Sequence, residues 1–294
     1  MDNLGNLEVI TDIRSELGEG PVWDVRYNKL YWVDIEGKRF FNYDPSSGKL
    51  DEYTVGQRIG AVVPRTQGGF VAALENGIYS YDPAGNKLKE WSDTERNIPG
   101  NRFNDGKCDA AGRLLAGTMS TIGEAKAGSL YRFDPDGSVS LLEVGVSTSN
   151  GLAWSLDNRV LYYIDSNTQS VVAYDYDLEI GTISGKRTVI EIPREAGTPD
   201  GMSIDAEGML WIAHWGGFRV ARFNPHTGKQ LQEIRLPAPL VTSCAFGGPA
   251  LDELYITTAK VGLSESDLQQ YPLSGALFKI KLPVKGIASV PFNA

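Results

Sequence analysis

A unit of about 40 to 50 residues repeats along this chain, and that period limits the folds open to it more than any other feature. Each copy reads as an apolar run, an Asp or Gly turn, a strand of Leu-aromatic-apolar character, a short turn, and then aromatic-Asp-Pro. Six copies can be traced, with second strands Leu30-Tyr31-Trp32-Val33-Asp34, Phe70-Val71-Ala72-Ala73-Leu74, Leu114-Leu115-Ala116-Gly117-Thr118, Leu161-Tyr162-Tyr163-Ile164-Asp165, Leu210-Trp211-Ile212-Ala213-His214 and Leu254-Tyr255-Ile256-Thr257-Thr258. Third strands run into Tyr43-Asp44-Pro45, Tyr81-Asp82-Pro83, Phe133-Asp134-Pro135 and Phe223-Asn224-Pro225, and Tyr174-Asp175 is read as a version without the proline. Proline presets φ for a turn, and the Asp or Asn ahead of it can bond the backbone beyond, so hairpins recur at a fixed spacing.

Short strands at regular spacing, with no stretch of helical periodicity between them, predict an all-β protein, and the period is that of a propeller blade. Six units in 294 residues predict a six-bladed β-propeller, one domain over residues 1–294, with no linker or low-complexity tract to divide it. A solenoid of stacked β repeats fits less well, because its units are usually shorter and its ends need caps. Leu7-Glu8-Val9-Ile10 precedes the first complete unit and Ala276-Leu277-Phe278-Lys279-Ile280 ends the last, so the two termini are expected to meet and close the ring.

Aligning the units brings four polar-glycine sites into one phase: Glu19-Gly20-Pro21, Asn104-Asp105-Gly106, Asn150-Gly151-Leu152 and Asp200-Gly201-Met202, each just ahead of a predicted first strand. Any single Asn-Gly or Asp-Gly is an ordinary turn dipeptide. Their shared phase is different, because the innermost strands of a propeller line its central channel and equivalent residues then ring one mouth of it. Glycine after each polar residue permits a sharp turn and close backbone approach near the axis. Carboxylates gathered there repel unless a cation neutralises them or one keeps its proton. Carboxylate and amide oxygens form a hard ligand set suited to Ca²⁺, Mg²⁺ or Mn²⁺, and one that Zn²⁺ or Fe²⁺ can also occupy. Three protein ligands would leave positions for water and substrate, the arrangement of a Lewis acid catalyst. Phasing alone does not choose between Asn104 and Asp105.

The motifs Leu17-Gly18-Glu19-Gly20-Pro21-Val22-Trp23, Arg102-Phe103-Asn104-Asp105-Gly106-Lys107, Ala116-Gly117-Thr118-Met119, Ser149-Asn150-Gly151-Leu152-Ala153-Trp154-Ser155 and Pro199-Asp200-Gly201-Met202 fall in order across five units. Together they resemble the senescence marker protein 30, gluconolactonase and luciferin-regenerating enzyme family of six-bladed propellers. The resemblance implies that one divalent cation is held by Glu19, Asn150 and Asp200, that Arg102 and Asn104 bind substrate, and that Asp200 is the general base. It favours Asn104 over Asp105. The activity implied is metal-dependent opening of a sugar lactone, an aldonolactone such as gluconolactone, xylonolactone or arabinolactone, with Asp200 or a metal-bound hydroxide activating water. In one respect the chain departs from the family: vertebrate members carry acidic residues soon after Gly-Thr-Met, whereas Ser120-Thr121-Ile122 follows here and Glu124 is the nearest acid.

Alternatives are an organophosphate-hydrolysing phosphotriesterase of the diisopropylfluorophosphatase type and a calcium-binding propeller without turnover. With a net charge of -9 and no cluster of Lys and Arg, nucleic acid is not an expected partner. No apolar run reaches the ~18 residues that cross a bilayer, and Met1-Asp2-Asn3-Leu4-Gly5-Asn6 lacks the features of a secretory signal, so a cytoplasmic protein, monomeric by default, is expected. Cys108 and Cys244 lie in apolar runs and read as buried free thiols. The two histidines, His214 and His226, flank one hairpin, so no Ser-His-Asp triad is implied. Asp34, Asp165 and His214 share the end of the second strand and are expected to bond backbone N–H groups more than to orient ligands. Trp23, Trp32, Trp154 and Trp211 are expected in the core, His226 in a solvated turn, and Trp215 on the pocket wall.

Overall fold

The computed structural model describes residues 5–294, and the Met1–Leu4 part of the opening segment lies outside them. The protein is nearly all-β and antiparallel. Residues Gly18–Thr54, Ile59–Ser92, Asn101–Val146 and Ser149–Glu191 each form a four-stranded meander. A fifth meander, Thr198–Arg235, and a sixth join edge to edge through the pair Trp215 and Leu240 into one eight-stranded sheet. The sixth takes three strands from the C-terminal part, Leu240–Gly247, Glu253–Ala259 and Phe278–Lys281, and its outermost strand from the N-terminal Glu8–Val9. The N-terminal run and the run ending the last unit therefore pair as the sequence predicts, Glu8 opposite Lys279 and Val9 opposite Phe278. One helix, Glu265–Gln270, opened by a capping box on Ser264, interrupts the sixth unit, and no apolar periodicity announces so short an element.

First strands pack side by side in cyclic order, unit one against two, two against three, and so on to six, which packs back against one. Apolar clusters lie between neighbouring units. Trp23, Trp32, Trp154 and Trp211 are buried in them, as are the free thiols Cys108 and Cys244. Asp-Pro turns form as expected at Asp44, whose carboxylate accepts from Ser46 N at 2.9 Å, and Asp82, which accepts from Ala84 N at 3.0 Å. Tyr174-Asp175 is not the equivalent turn. Both residues lie inside the strand Ser170–Asp177, and the turn falls two residues on, where Asp177 accepts from Glu179 N at 2.9 Å. Without a proline the strand simply continues to the next Asp.

The first strands also start earlier than the sequence predicts. They span Gly18–Asp24, Ile59–Pro64, Asn101–Cys108, Ser149–Trp154, Thr198–Ile204 and Leu240–Gly247, so the polar residues lie within strands, not ahead of them. All six share one irregularity: the pairing register shifts between Glu19 and Val22, Ile59 and Ala61, Phe103 and Gly106, Ser149 and Leu152, Pro199 and Met202, and Val241 and Ser243. A bulge releases residues from the ladder and re-aims their side chains. Asn104, Asp105, Asn150 and Asp200 are among the released residues. Glycine is needed here because neighbouring units crowd together. A Cβ on Gly151 would sit 2.5 Å from Met202 Cβ, and one on Gly201 would sit 2.1 Å from Ser243 Oγ.

A final segment carries no repeat signature. Asp205, after the first strand of unit five, bridges Gly286, and Arg65, after that of unit two, bridges Phe292. Units two and five are three steps apart in the cycle, so the C-terminal segment crosses from one side of the assembly to the other. Phe292 anchors its end, buried edge-on against Trp91 at 5.0 Å.

Candidate functional site

Glu19, Arg102, Asn104, Asn150 and Asp200, drawn from four units, line one cavity of about 320 Å³. All five are buried. Asp105, the residue that phasing could not separate from Asn104, does not line it and turns instead to the interior, where its Oδ1 accepts from Gly106 N at 2.7 Å. Glu19 repeats the same device, accepting from Gly20 N at 2.6 Å. Leu17, Ile35, Met119 and Trp215 give the cavity an apolar wall, and Thr148, Asn167 and Thr198 a polar one. Trp215 thus walls the pocket as expected. Glu124 is exposed and takes no part, and the only contribution from the segment after Gly-Thr is Met119.

The electrostatics of the cavity floor are dominated by buried acid. Burial and the nearby Asp105 carboxylate raise the Glu19 pKa to about 8. Burial, then Glu19 and then Asp105, push Asp200 well above the ordinary carboxylate range, and Glu19 and Asp200 are close enough to share a hydrogen bond. Asp105 is raised by burial, opposed first by Lys107. Lys107 itself spans the interior, its Nζ donating to Leu152 O at 2.9 Å and Met202 O at 2.7 Å, carbonyls of two other units. It ends the motif Arg102-Phe103-Asn104-Asp105-Gly106-Lys107, but nothing in the residue pattern gives it a role. Such a cluster favours protons or a cation over free carboxylates.

Asn150 supplies a sharper observation. Its Nδ2 donates to Ser166 Oγ at 2.8 Å, while its buried Oδ1 has no hydrogen-bond partner. A buried orphan acceptor costs ~1–3 kcal/mol unless something fills its place. Two carboxylates and this oxygen make a donor set of hard oxygens, which fits a divalent cation. Among the described residues no group of three or more His, Cys, Asp and Glu side chains is placed to hold a metal ion.

Arg102 lies beside them. Its Nη1 donates to Asn104 Oδ1 at 2.6 Å and to Phe103 O at 2.9 Å, and Asn104 Nδ2 donates to Ser149 O in the next unit at 2.7 Å. Burial lowers the Arg102 pKa to about 10, which still leaves the guanidinium charged at neutral pH. Asp34 and Asp165 do hold backbone N–H groups. Asp34 accepts from Leu17 N at 3.0 Å and Asp165 from Thr148 N at 3.0 Å, in each case two residues ahead of Glu19 or Asn150. They thereby fix the approach of the strand that carries each ligand candidate. His214 departs from that expectation: its Nδ1 lies 3.1 Å from Ala196 O, a carbonyl that can only accept, so the ring donates there and holds no N–H group, and His226 is an exposed turn residue.

Residues 17–260 match the SMP-30/Gluconolactonase/LRE-like region. The chain belongs to this family. Regucalcin of Xenopus laevis is 42% identical over 292 residues, covering 97% of this chain and 98% of that protein. A putative sugar lactone lactonase, YvrE, of Bacillus subtilis (strain 168) is 40% identical over 284 residues, covering 96% of each. The solved structure of a regucalcin from Agrobacterium tumefaciens, described as a calcium-binding protein, superposes with a TM-score of 0.94 at 27% identity, over 99% of this chain and 98% of that one. No helix among the described residues is long and apolar enough to cross a membrane.

Proposed function

We propose that the chain is a metal-dependent lactonase, one domain built as a six-bladed β-propeller, which opens an aldonolactone such as gluconolactone, xylonolactone or arabinolactone to the free acid. The observation that carries this reading is the convergence of Glu19, the unpartnered Asn150 Oδ1 and Asp200 on the cavity that Arg102 and Asn104 also line. Family membership and the sugar-lactone name of the Bacillus relative support the substrate class.

Glu19, Asn150 Oδ1 and Asp200 would hold one divalent cation, which supplies Lewis acidity to the lactone carbonyl and charge stabilisation to the oxyanion. Arg102 presents a fork of donors to the sugar hydroxyls, and later to the product carboxylate. Its Nη1 is held by Asn104 and Phe103, which leaves the other N–H groups to face the substrate. Asp200 takes the proton of the attacking water as the new C–O bond forms. It returns that proton to the ring oxygen as the old C–O bond breaks, so the product is a hydroxy acid. Leu17, Ile35, Met119 and Trp215 line the same cavity and limit water in it.

The test is acid release from a panel of aldonolactones by chelator-stripped protein as Ca²⁺, Mg²⁺, Mn²⁺, Zn²⁺ and Fe²⁺ are restored one at a time. Activity that returns with a metal and is lost in Asp200→Ala is the expected result. Turnover indifferent to chelation, or surviving that substitution, overturns the mechanism. Faster release of fluoride from an organophosphate than acid from any lactone overturns the substrate class.

A further inference from the structure

Ser166, which no sequence motif singled out, stands at a junction between units four and five. Its Oγ receives Asn150 Nδ2 at 2.8 Å and donates to Pro199 O at 2.7 Å, the carbonyl immediately before Asp200. Ser166 is buried, and it opens the short 3-10 turn Ser166–Thr168 whose cap is Asp165.

A hydroxyl has one proton to give and lone pairs with which to receive. Pro199 O can only accept, so the Ser166 proton is committed to it, and toward Asn150 the hydroxyl offers an acceptor. Only the NH₂ end of the amide satisfies an acceptor. Asn150 is therefore held with Nδ2 on Ser166 and with Oδ1 free of any protein donor, the orientation in which the amide oxygen can serve a cation.

We propose that Ser166 is the positioning residue of the metal centre: it sets the Asn150 amide the right way round and ties it to the strand that carries Asp200. This rests on the metal centre proposed above. With the hydroxyl removed, the NH₂ group loses the acceptor that fixes it, and the amide is no longer held in one orientation. It can then turn over and present nitrogen where oxygen is required. Loss of a group that orients a ligand typically weakens metal affinity by 10–100-fold.

The experiment is calorimetric titration of chelator-stripped full-length protein with Mn²⁺ and with Ca²⁺, with the melting temperature of each metal-free variant as the control for folding. Ser166→Ala is expected to bind at least about tenfold more weakly than wild type, and Ser166→Thr, which keeps the hydroxyl, to bind within about threefold of it. The decisive comparison is made in an Asn150→Asp background. A carboxylate offers oxygen from either side and needs no orienting, so Ser166→Ala there should cost threefold or less. An equal loss in both backgrounds means that Ser166 acts only through general packing, and overturns the proposal. Wild-type affinity in Ser166→Ala overturns it too, with the metal centre left standing. If wild type itself binds neither ion, the metal centre fails and this inference falls with it.

Discussion

Gly201→Ala tests whether close approach of neighbouring units is what demands glycine beside Asp200. The added Cβ would lie 2.1 Å from Ser243 Oγ, 2.5 Å from Ser243 Cβ and 2.8 Å from Ser243 Cα. Rotation can move the hydroxyl aside, but Cβ and Cα are fixed to the strand Leu240–Gly247 of unit six. Ordinary carbon contacts are ~3.5–4.0 Å, so that strand must retreat by on the order of 1 Å. Overpacking of this kind costs ~1–3 kcal/mol, and the upper end applies because the opposing atoms are backbone or attached to it. In a chain of this size 1 kcal/mol corresponds to about 2 °C or more, so a melting point lower by roughly 4–6 °C is expected in calorimetry of the metal-free protein. A displacement of 1 Å at Asp200 should also lower lactone turnover by on the order of 100-fold. Adding Ser243→Gly removes two of the three clashes and should recover part of the stability. An unchanged melting point in Gly201→Ala would refute the crowding argument.

Burial, then the charge of Arg219, lowers the His214 pKa to about 4 from 6.5, so the folded protein prefers the neutral ring. That preference is fully stabilising above pH 6.5 and fades as pH falls toward 4, by up to roughly 3 kcal/mol. Urea titrations at pH 7 and pH 4.5 should show the loss, with a smaller one in His214→Gln; equal losses would exclude the histidine as its source. Phe292→Ala empties the socket against Trp91, should cost about 3 kcal/mol or more, and should expose the C-terminal segment to carboxypeptidase; resistance equal to wild type would mean that the bridges at Asp205 and Arg65 hold it unaided.

The hairpins were legible because each is made by residues close in sequence: the second strand at Phe70–Leu74 and the turns at Asp44 and Asp82 declare themselves locally. Strand starts were not, since Asn150 and Asp200 resemble turn residues until the partner strand reveals a bulge. Tyr174-Asp175 misled for the opposite reason, its turn-like Asp being outweighed by cross-strand pairing on both sides. In the site, the polar residues in common phase emerged from the repeat, and the choice of Asn104 over Asp105 needed the family resemblance. Ser166 and Lys107 stayed hidden because their partners, Pro199, Leu152 and Met202, belong to other units and make contact only once the units pack. The segment that ends at Phe292 has no repeat to betray it, although a lone aromatic near the end of an apolar, proline-bearing tail is a faint signal.

The central claim is that three oxygen-bearing residues from three units hold one ion. Anomalous diffraction from crystals soaked in Mn²⁺ tests it most directly. A single strong peak in contact with a Glu19 oxygen, Asn150 Oδ1 and an Asp200 oxygen is the predicted result. A cavity without a peak at saturating Mn²⁺, or a peak bound by other residues, would contradict it.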